Sequence, residues 1–161
     1  MSTDDREELF DMIDDVGTAM LVTENGNELR SRPMKGKLYR DCGEIWFLTE
    51  QPSGKTGEIG IDKSSNLTYA CPEKETYISM SGQATVSQEE QKINDLWGPW
   101  AAAWLQCEKS DPKVAAIRFV PEIAEYWSSP DSTLVQTWEL AKAKLTGEKP
   151  EMGKNQTLTI D

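Results

Sequence analysis

The stretch Thr49-Glu50-Gln51-Pro52-Ser53-Gly54-Lys55 holds residue types suited to an anion: a Ser hydroxyl, a Gly amide and a Lys amine, where a strand-like run gives way to a helix-like one. The first amides of a helix have no intrahelical acceptor and lie at its positive end, so they favour negative charge. The stretch is not a GxxxxGK[ST] loop, so it gives no triphosphate signature. The same residues also fit a capped loop facing water, and both readings stand at this point. Upstream lies the densest basic group, Arg30, Arg32, Lys35, Lys37 and Arg40. In a regular strand Arg30, Arg32 and Arg40 share one face and Lys35 and Lys37 the other, unless Gly36 marks a bulge. Such a group suits a small anionic ligand.

The absence of histidine excludes much else. There is no Ser-His-Asp or Cys-His nucleophile, no imidazole shuttle and no zinc site using His. Cys42, Cys71 and Cys107 are too widely spaced for a CxxC pair and read as half-buried thiols in a reducing compartment, so a cytoplasmic protein is expected. With 17 Lys+Arg against 28 Asp+Glu the net charge is −11, which opposes nucleic-acid backbones. Asp4-Asp5 and Asp14-Asp15 bracket a helix as ordinary acidic surface, and no EF-hand loop occurs, so no metal is expected. The N-terminal stretch lacks a signal-peptide core, and no apolar run approaches the roughly 20 residues of a membrane span.

The elements that must position these residues follow from periodicity. Thr3 to Asp15 reads as a helix capped by Ser2 or Thr3 and stopped at Gly17. Ala19 to Thr23 and the run from Glu28 to Tyr39 form a hairpin around Asn25-Gly26. Pro33, without an amide donor, belongs at a strand edge or bulge. Glu44 to Thr49 is the third strand, and its run Ile45 to Leu48 predicts burial on both faces. Lys55 to Ile61 reads as a short helix, and Asn66 to Ala70 and Thr76 to Val86 as strands. Ser87 with Glu90 matches a capping box, predicting a helix through Trp97. A second short helix carries Trp100 and Trp104, which with Trp97 form a cluster suited to a core or a subunit interface. Val114 to Trp127 is the last long strand, interrupted at Pro121, and Thr133 to Leu145 a final helix. Trp127, at a strand end, suits either a cover over a planar ligand or a barrel plug. The order predicts one domain over residues 1–145, mainly β with peripheral helices, followed by a polar tail over 146–161.

Arg32-Pro33-Met34, Ile45-Trp46-Phe47-Leu48-Thr49, Ser53-x-Lys55 with Glu58-Ile59, Tyr77 to Ala84, Ile117 to Pro121 and Ala124 to Trp127 occur in an order that resembles the pyridoxamine-phosphate-oxidase-like FMN-binding split barrels, in their bacterial general stress protein branch. The resemblance implies a six-stranded antiparallel split β-barrel that forms a homodimer with FMN in clefts shared between subunits. It implies that Arg32 and Lys55 bind the FMN phosphate, with Ser53 and Thr49 assisting. Pro33, Met34, Trp46, Phe47 and Leu48 would line the flavin, Tyr77 would reach it from the partner subunit, and Trp127 would stand near the ring. FAD or a deazaflavin are alternatives to FMN. The vitamin oxidases carry an Arg-x-His after the position of Trp127, where this chain reads Ser128-Ser129-Pro130-Asp131; their inserted helix also carries basic and phenolic clamps, where this chain has Asn94, Asp95, Leu96 and Trp97. Oxidation of pyridoxamine phosphate is therefore not expected. A flavin-dependent oxidoreductase of small substrate, a flavin carrier or sensor without turnover, and a flavin-free dimeric module are the three functions compatible with these residues.

Overall fold

Long runs of alternating apolar and polar residues give strands with one buried face, and a sheet of such strands twists until its ends meet. A computed structural model describes residues 3–61, 63–129 and 154–160. It contains α1 (Thr3–Val16), β1 (Thr18–Asn25), β2 (Glu28–Tyr39), β3 (Glu44–Glu50), α2 (Gly54–Ile61), β4 (Ser64–Cys71), β5 (Thr76–Ser87), α3 (Glu90–Leu96), α4 (Pro99–Leu105), β6 (Val114–Ser128) and β7 (Lys154–Thr159). The strands run β3-β2-β1-β4-β5-β6, and β3 also pairs with β6, so six antiparallel strands close into a ring. This is the split barrel with peripheral helices that the sequence predicts.

The ring interior holds Leu21, Phe47, Ile78, Met80, Ile117 and Phe119; Leu9, Phe10 and Ile13 of α1 and Ile59 of α2 join them. A second cluster lies outside the ring, where Trp46, Val114 and Ala116 are covered by Ile93 of α3 and Leu105 of α4. The apolar run Ile45 to Leu48 is thus buried on both faces, as expected. Opposite β5, strand β6 changes register between Ser81↔Ile123 and Gly82↔Pro121, leaving Glu122 as an extra residue. A Cβ on Gly82 would lie 2.2 Å from the Val120 carbonyl oxygen, so only glycine admits this bulge.

Three details differ from the sequence reading. Ser87 is the last residue of β5 and accepts the Glu89 amide at 3.1 Å, whereas Glu89 is the N-cap of α3; a local serine turn takes the place of the capping box. Arg40 lies beyond β2 and is held by Glu7, Asp11 and Asp14 of α1, so it does not join Arg30 and Arg32. Within 146–161, Lys154–Thr159 forms β7, paired with Ile123–Ser128 of β6 beyond the stretch occupied by β3. Its alternation is carried by buried Leu158 and half-buried Gln156 and Ile160. The helix expected over Thr133 to Leu145 lies outside the described residues.

Candidate functional site

Strand β2 serves two neighbours that diverge. Glu28–Lys35 pair with β1, while Gly36–Tyr39 pair with β3. Past Phe47, Leu48–Glu50 of β3 pair only with β6. Between Arg32–Lys35 and Leu48–Glu50 the two strands splay, and among the described residues each presents an unpaired backbone edge. That opening is the split of the barrel. Gly36 stands where the strands part: a Cβ there would lie 2.6 Å from Phe47 Cε1 and 2.9 Å from Ile45 Cγ2. Pro33, opposite Met20 of β1, lies on the open stretch, as a residue without an amide donor must.

Helix α2 follows directly from the end of β3. Its entry is closed by a reciprocal pair: the Ser53 amide donates to Thr56 Oγ1 at 2.8 Å, and the Thr56 amide donates to Ser53 Oγ at 3.3 Å. Ser53 is thereby engaged in the turn, and Gly54 and Lys55 are the first amides of the helix, without intrahelical acceptors. Three residues on from Lys55, and so on an adjacent part of the helix surface, Glu58 is buried at 5% exposure. It accepts Arg32 Nη2 at 2.8 Å and the Thr23 hydroxyl at 2.5 Å, and Arg30 Nη1 lies 3.6 Å from its other oxygen. Arg32 Nη1 also donates to Thr23 Oγ1 at 2.6 Å. Burial pushes the Glu58 carboxyl up, but the hydrogen bonds from Thr23 and Arg32 and the two arginine charges outweigh it and hold the group below its ordinary value. Lys55 is held below the ordinary lysine value, first by burial and then by the Arg32 charge, with Glu50 and Glu58 opposing. It forms no ion pair among the described residues. Arg30, Arg32 and Lys55 thus gather about one buried carboxylate, while the exposed Glu28 lies 4.0 Å from Arg30 and Glu50 also acts on Lys55.

The remaining predicted site residues divide by strand face. Met34 points inward and packs against the barrel core, and Phe47 and Thr49 are buried on the inner side of β3. Trp46 is buried under α3 and α4 with its indole N–H donating to Glu44 at 2.9 Å, and Leu48 packs beside it. The side chains of Trp46 and Phe47 therefore fix the backbone of β3. Tyr77 and Trp127 stand opposite each other on the outer face of β5 and β6, 40% and 36% exposed, across the ring from β2. One chain does not bring them to Arg32 and Lys55. An open groove of about 870 Å³ follows another face of α2, from Gln51 and Ser53 to Lys63 and Lys113, apart from the cationic cluster. Glu58 enters the sequence reading only within the family motif, with no site role; its spacing from Lys55 and the Arg30-x-Arg32 pair were the available signals.

A family model for pyridoxamine 5'-phosphate oxidase-like proteins matches residues 4–151. The chain belongs to this family. A general stress protein 26 from Jannaschia sp. CCS1 superimposes with a TM-score of 0.80 at 26% identity, covering 98% of this chain and 99% of that one. A general stress FMN/FAD binding protein from Xanthomonas citri shares the fold with a TM-score of 0.72 at 23% identity, covering 81% of this chain and 93% of its own. Protein bli-3 of Neurospora crassa is 23% identical over 119 residues, which are 69% of this chain. The chain spans 57% of the length of that curated relative. Among the described residues no helix is long and apolar enough to cross a membrane.

Proposed function

We propose that this member of the family binds FMN at the split between β2 and β3 and works as a flavin-dependent oxidoreductase on a small substrate. The observation that carries the reading is the cluster of Arg30, Arg32 and Lys55 around a single buried carboxylate, beside the first amides of α2. A phosphate monoester is a compact dianion, matched by charge-assisted donors from Arg32 and Lys55. The open backbone edges at Pro33-Met34 and Leu48-Thr49 offer hydrogen-bonding groups to a polar ring edge, and the packed side chains of Met34, Trp46 and Phe47 hold those edges still. A bound flavin supplies hydride and electron transfer at its own ring, so the chain needs no histidine for the redox step. A site matched to a terminal phosphate monoester favours FMN over FAD or a deazaflavin. The flavin-binding description of the Xanthomonas protein points the same way. The test is the visible spectrum of the purified protein, with NADH or NADPH then added. Flavin bands that bleach are expected; a colourless protein that takes up no FMN would overturn the reading.

Pyridoxamine phosphate is not the expected substrate. The only cation of α3, Lys92, lies 3.7 Å from the Tyr39 ring centroid and 5.0 Å from that of Trp46, and Asp95 is taken by Lys37 and the Tyr39 hydroxyl. Nothing on that helix remains to clamp a second phosphate. Anaerobic mixing of FMN-loaded protein with excess pyridoxamine phosphate is expected to leave the flavin oxidised, and rapid bleaching would restore the vitamin-oxidase reading.

We further infer that a second copy covers the outer face of β1, β4, β5 and β6. In register across the sheet run Pro33, Met20, Thr68, Ser79 and Glu125, then Ser31, Val22, Asn66, Ser81 and Ile123, then Ala70, Tyr77 and Trp127. These rows carry one charge and include the exposed Met20, Tyr77, Ile123 and Trp127. A contiguous face with a single charge and with aromatic residues suits a subunit interface. Because the first row ends at Pro33, the face reaches the split, so a partner seated on it would border the proposed flavin site.

A further inference from the structure

We propose that Glu58 is a positioning residue that orients Arg32 toward a phosphate monoester. This rests on the phosphate-site reading and adds a residue to it. Thr23, Arg32 and Glu58 form a closed triangle of hydrogen bonds, with Arg32 donating from its two terminal nitrogens to Thr23 and Glu58 and Thr23 donating to Glu58. Thr23 and Glu58 are 1% and 5% exposed, so neither exchanges these bonds readily for water. Two contacts at adjacent nitrogens fix the plane of a guanidinium, and a fixed plane sets the direction of its remaining N–H donors. The second Glu58 oxygen faces Arg30 at 3.6 Å, so the same carboxylate draws both arginines to one side of α2. Lys55 is the neighbouring cation that feels the Arg32 charge while forming no ion pair among the described residues. The arrangement gives Glu58 the task of holding one donor plane in place, and leaves Lys55 as the compact charge that completes the site. A flexible Arg32 would have to be ordered by the ligand, at the expense of affinity.

The experiment titrates the full chain with FMN and with riboflavin, which lacks the phosphate, following flavin fluorescence. Glu58→Gln keeps the shape but not the charge. If Glu58 only lowered the positive potential, this variant would bind FMN more tightly. As a positioning residue it is expected to weaken FMN by about 10- to 100-fold, leave riboflavin unchanged, and add little to Arg32→Ala in the double variant, because both remove one contact. Thr23→Val removes the third side of the triangle without touching charge and is expected to weaken FMN alone by about 3-fold; it carries the test should Glu58→Gln fail to fold. Wild type that prefers FMN while both variants retain that preference overturns the positioning role and leaves the phosphate site standing. Equal loss of both ligands assigns Glu58 to general stability, which also overturns it. Wild type binding FMN and riboflavin alike overturns the phosphate site and this inference together.

Discussion

At Lys55 the chain holds an amine whose charge is opposed first by burial and then by Arg32, only partly offset by Glu50 and Glu58, and it forms no ion pair among the described residues. A phosphate would supply such a pair, so Lys55→Ala is expected to cost FMN binding roughly 1.5–3 kcal/mol, about 10- to 150-fold in affinity, with riboflavin nearly indifferent. Equal sensitivity of the two ligands, measured by fluorescence titration, would remove Lys55 from the phosphate site. The pH dependence follows from the same shift. Only the protonated amine pairs with phosphate, so FMN affinity falls as pH rises through the Lys55 value of the unliganded protein. That value lies below the ordinary lysine pKa of about 10.4, so the FMN-to-riboflavin preference should begin to decline earlier in the alkaline range than for an unperturbed lysine. Glu58 has the opposite sign. Its folded value lies below its ordinary one, so its stabilising contribution is complete above the unfolded value of about 4.3 and is lost as pH falls through the folded value. The stability difference between wild type and Glu58→Gln, read from denaturant melts, should therefore shrink on acidification; a difference constant down to the acid transition would contradict the depressed value.

Among the elements, the bulge between β5 and β6 and the helix α2 make opposite demands on glycine. On Gly82 a Cβ would meet two backbone sites of the paired strand, the Val120 oxygen at 2.2 Å and Pro121 Cα at 2.8 Å, and backbone cannot rotate away. Gly82→Ala is expected to destabilise by at least about 2 kcal/mol, or roughly 4–8 °C in Tm. Gly57, in the middle of α2, has nothing within 4 Å of a built Cβ, and Gly57→Ala is expected to stabilise by about 0.5–1 kcal/mol. Thermal melts of the two variants check both, and a neutral Gly82→Ala would mean that the bulge relaxes. The strands themselves were legible because period 2 and apolar runs report faces directly: Ile45 to Leu48 announced burial on both sides, and Pro33 announced an open edge. Glu58 was not legible, because a carboxylate on a short helix reads as surface until the helix is known to sit against Thr23 of β1. Lys154–Thr159 was hidden for a related reason, since a stretch whose one apolar residue is Leu158 forms a strand only because β6 outruns β3 and leaves an edge to fill. Tyr77 and Trp127 were legible as strand residues, but their placement across the ring from Arg32 is a property of closure that no local pattern contains.

For the whole molecule, that placement makes assembly part of the proposed site. Within one chain Arg32 and Lys55 lie at the split, while Tyr77 and Trp127 lie on the far outer face, so a cleft using both sets needs two chains. If the second copy sits on the outer face of β1, β4, β5 and β6, flavin binding and dimerisation are linked, because a ligand stabilises the assembly that binds it. Sedimentation at micromolar concentration is expected to show a dimer tightened by FMN. Ile123, 49% exposed at the end of a row of uncharged residues, is the position where a charge would be most disruptive. Ile123→Asp would bury an unpaired carboxylate against the partner, an arrangement that strongly disfavours association. The variant is expected to sediment as a monomer and to bind FMN more weakly, although no residue near Arg32 has changed. A second exposed aromatic surface is Trp100 with Trp104 on α4, 60% and 73% exposed with rings edge to face at 5.3 Å. Trp104→Glu tests that surface in parallel and is expected to leave the dimer intact, since α4 spans only Pro99–Leu105 and offers far less flat surface than four strands. A monomeric Trp104→Glu beside a dimeric Ile123→Asp would move the interface to α4. A monomeric Ile123→Asp that holds FMN as tightly as wild type would confine the site to one chain and remove Tyr77 and Trp127 from it.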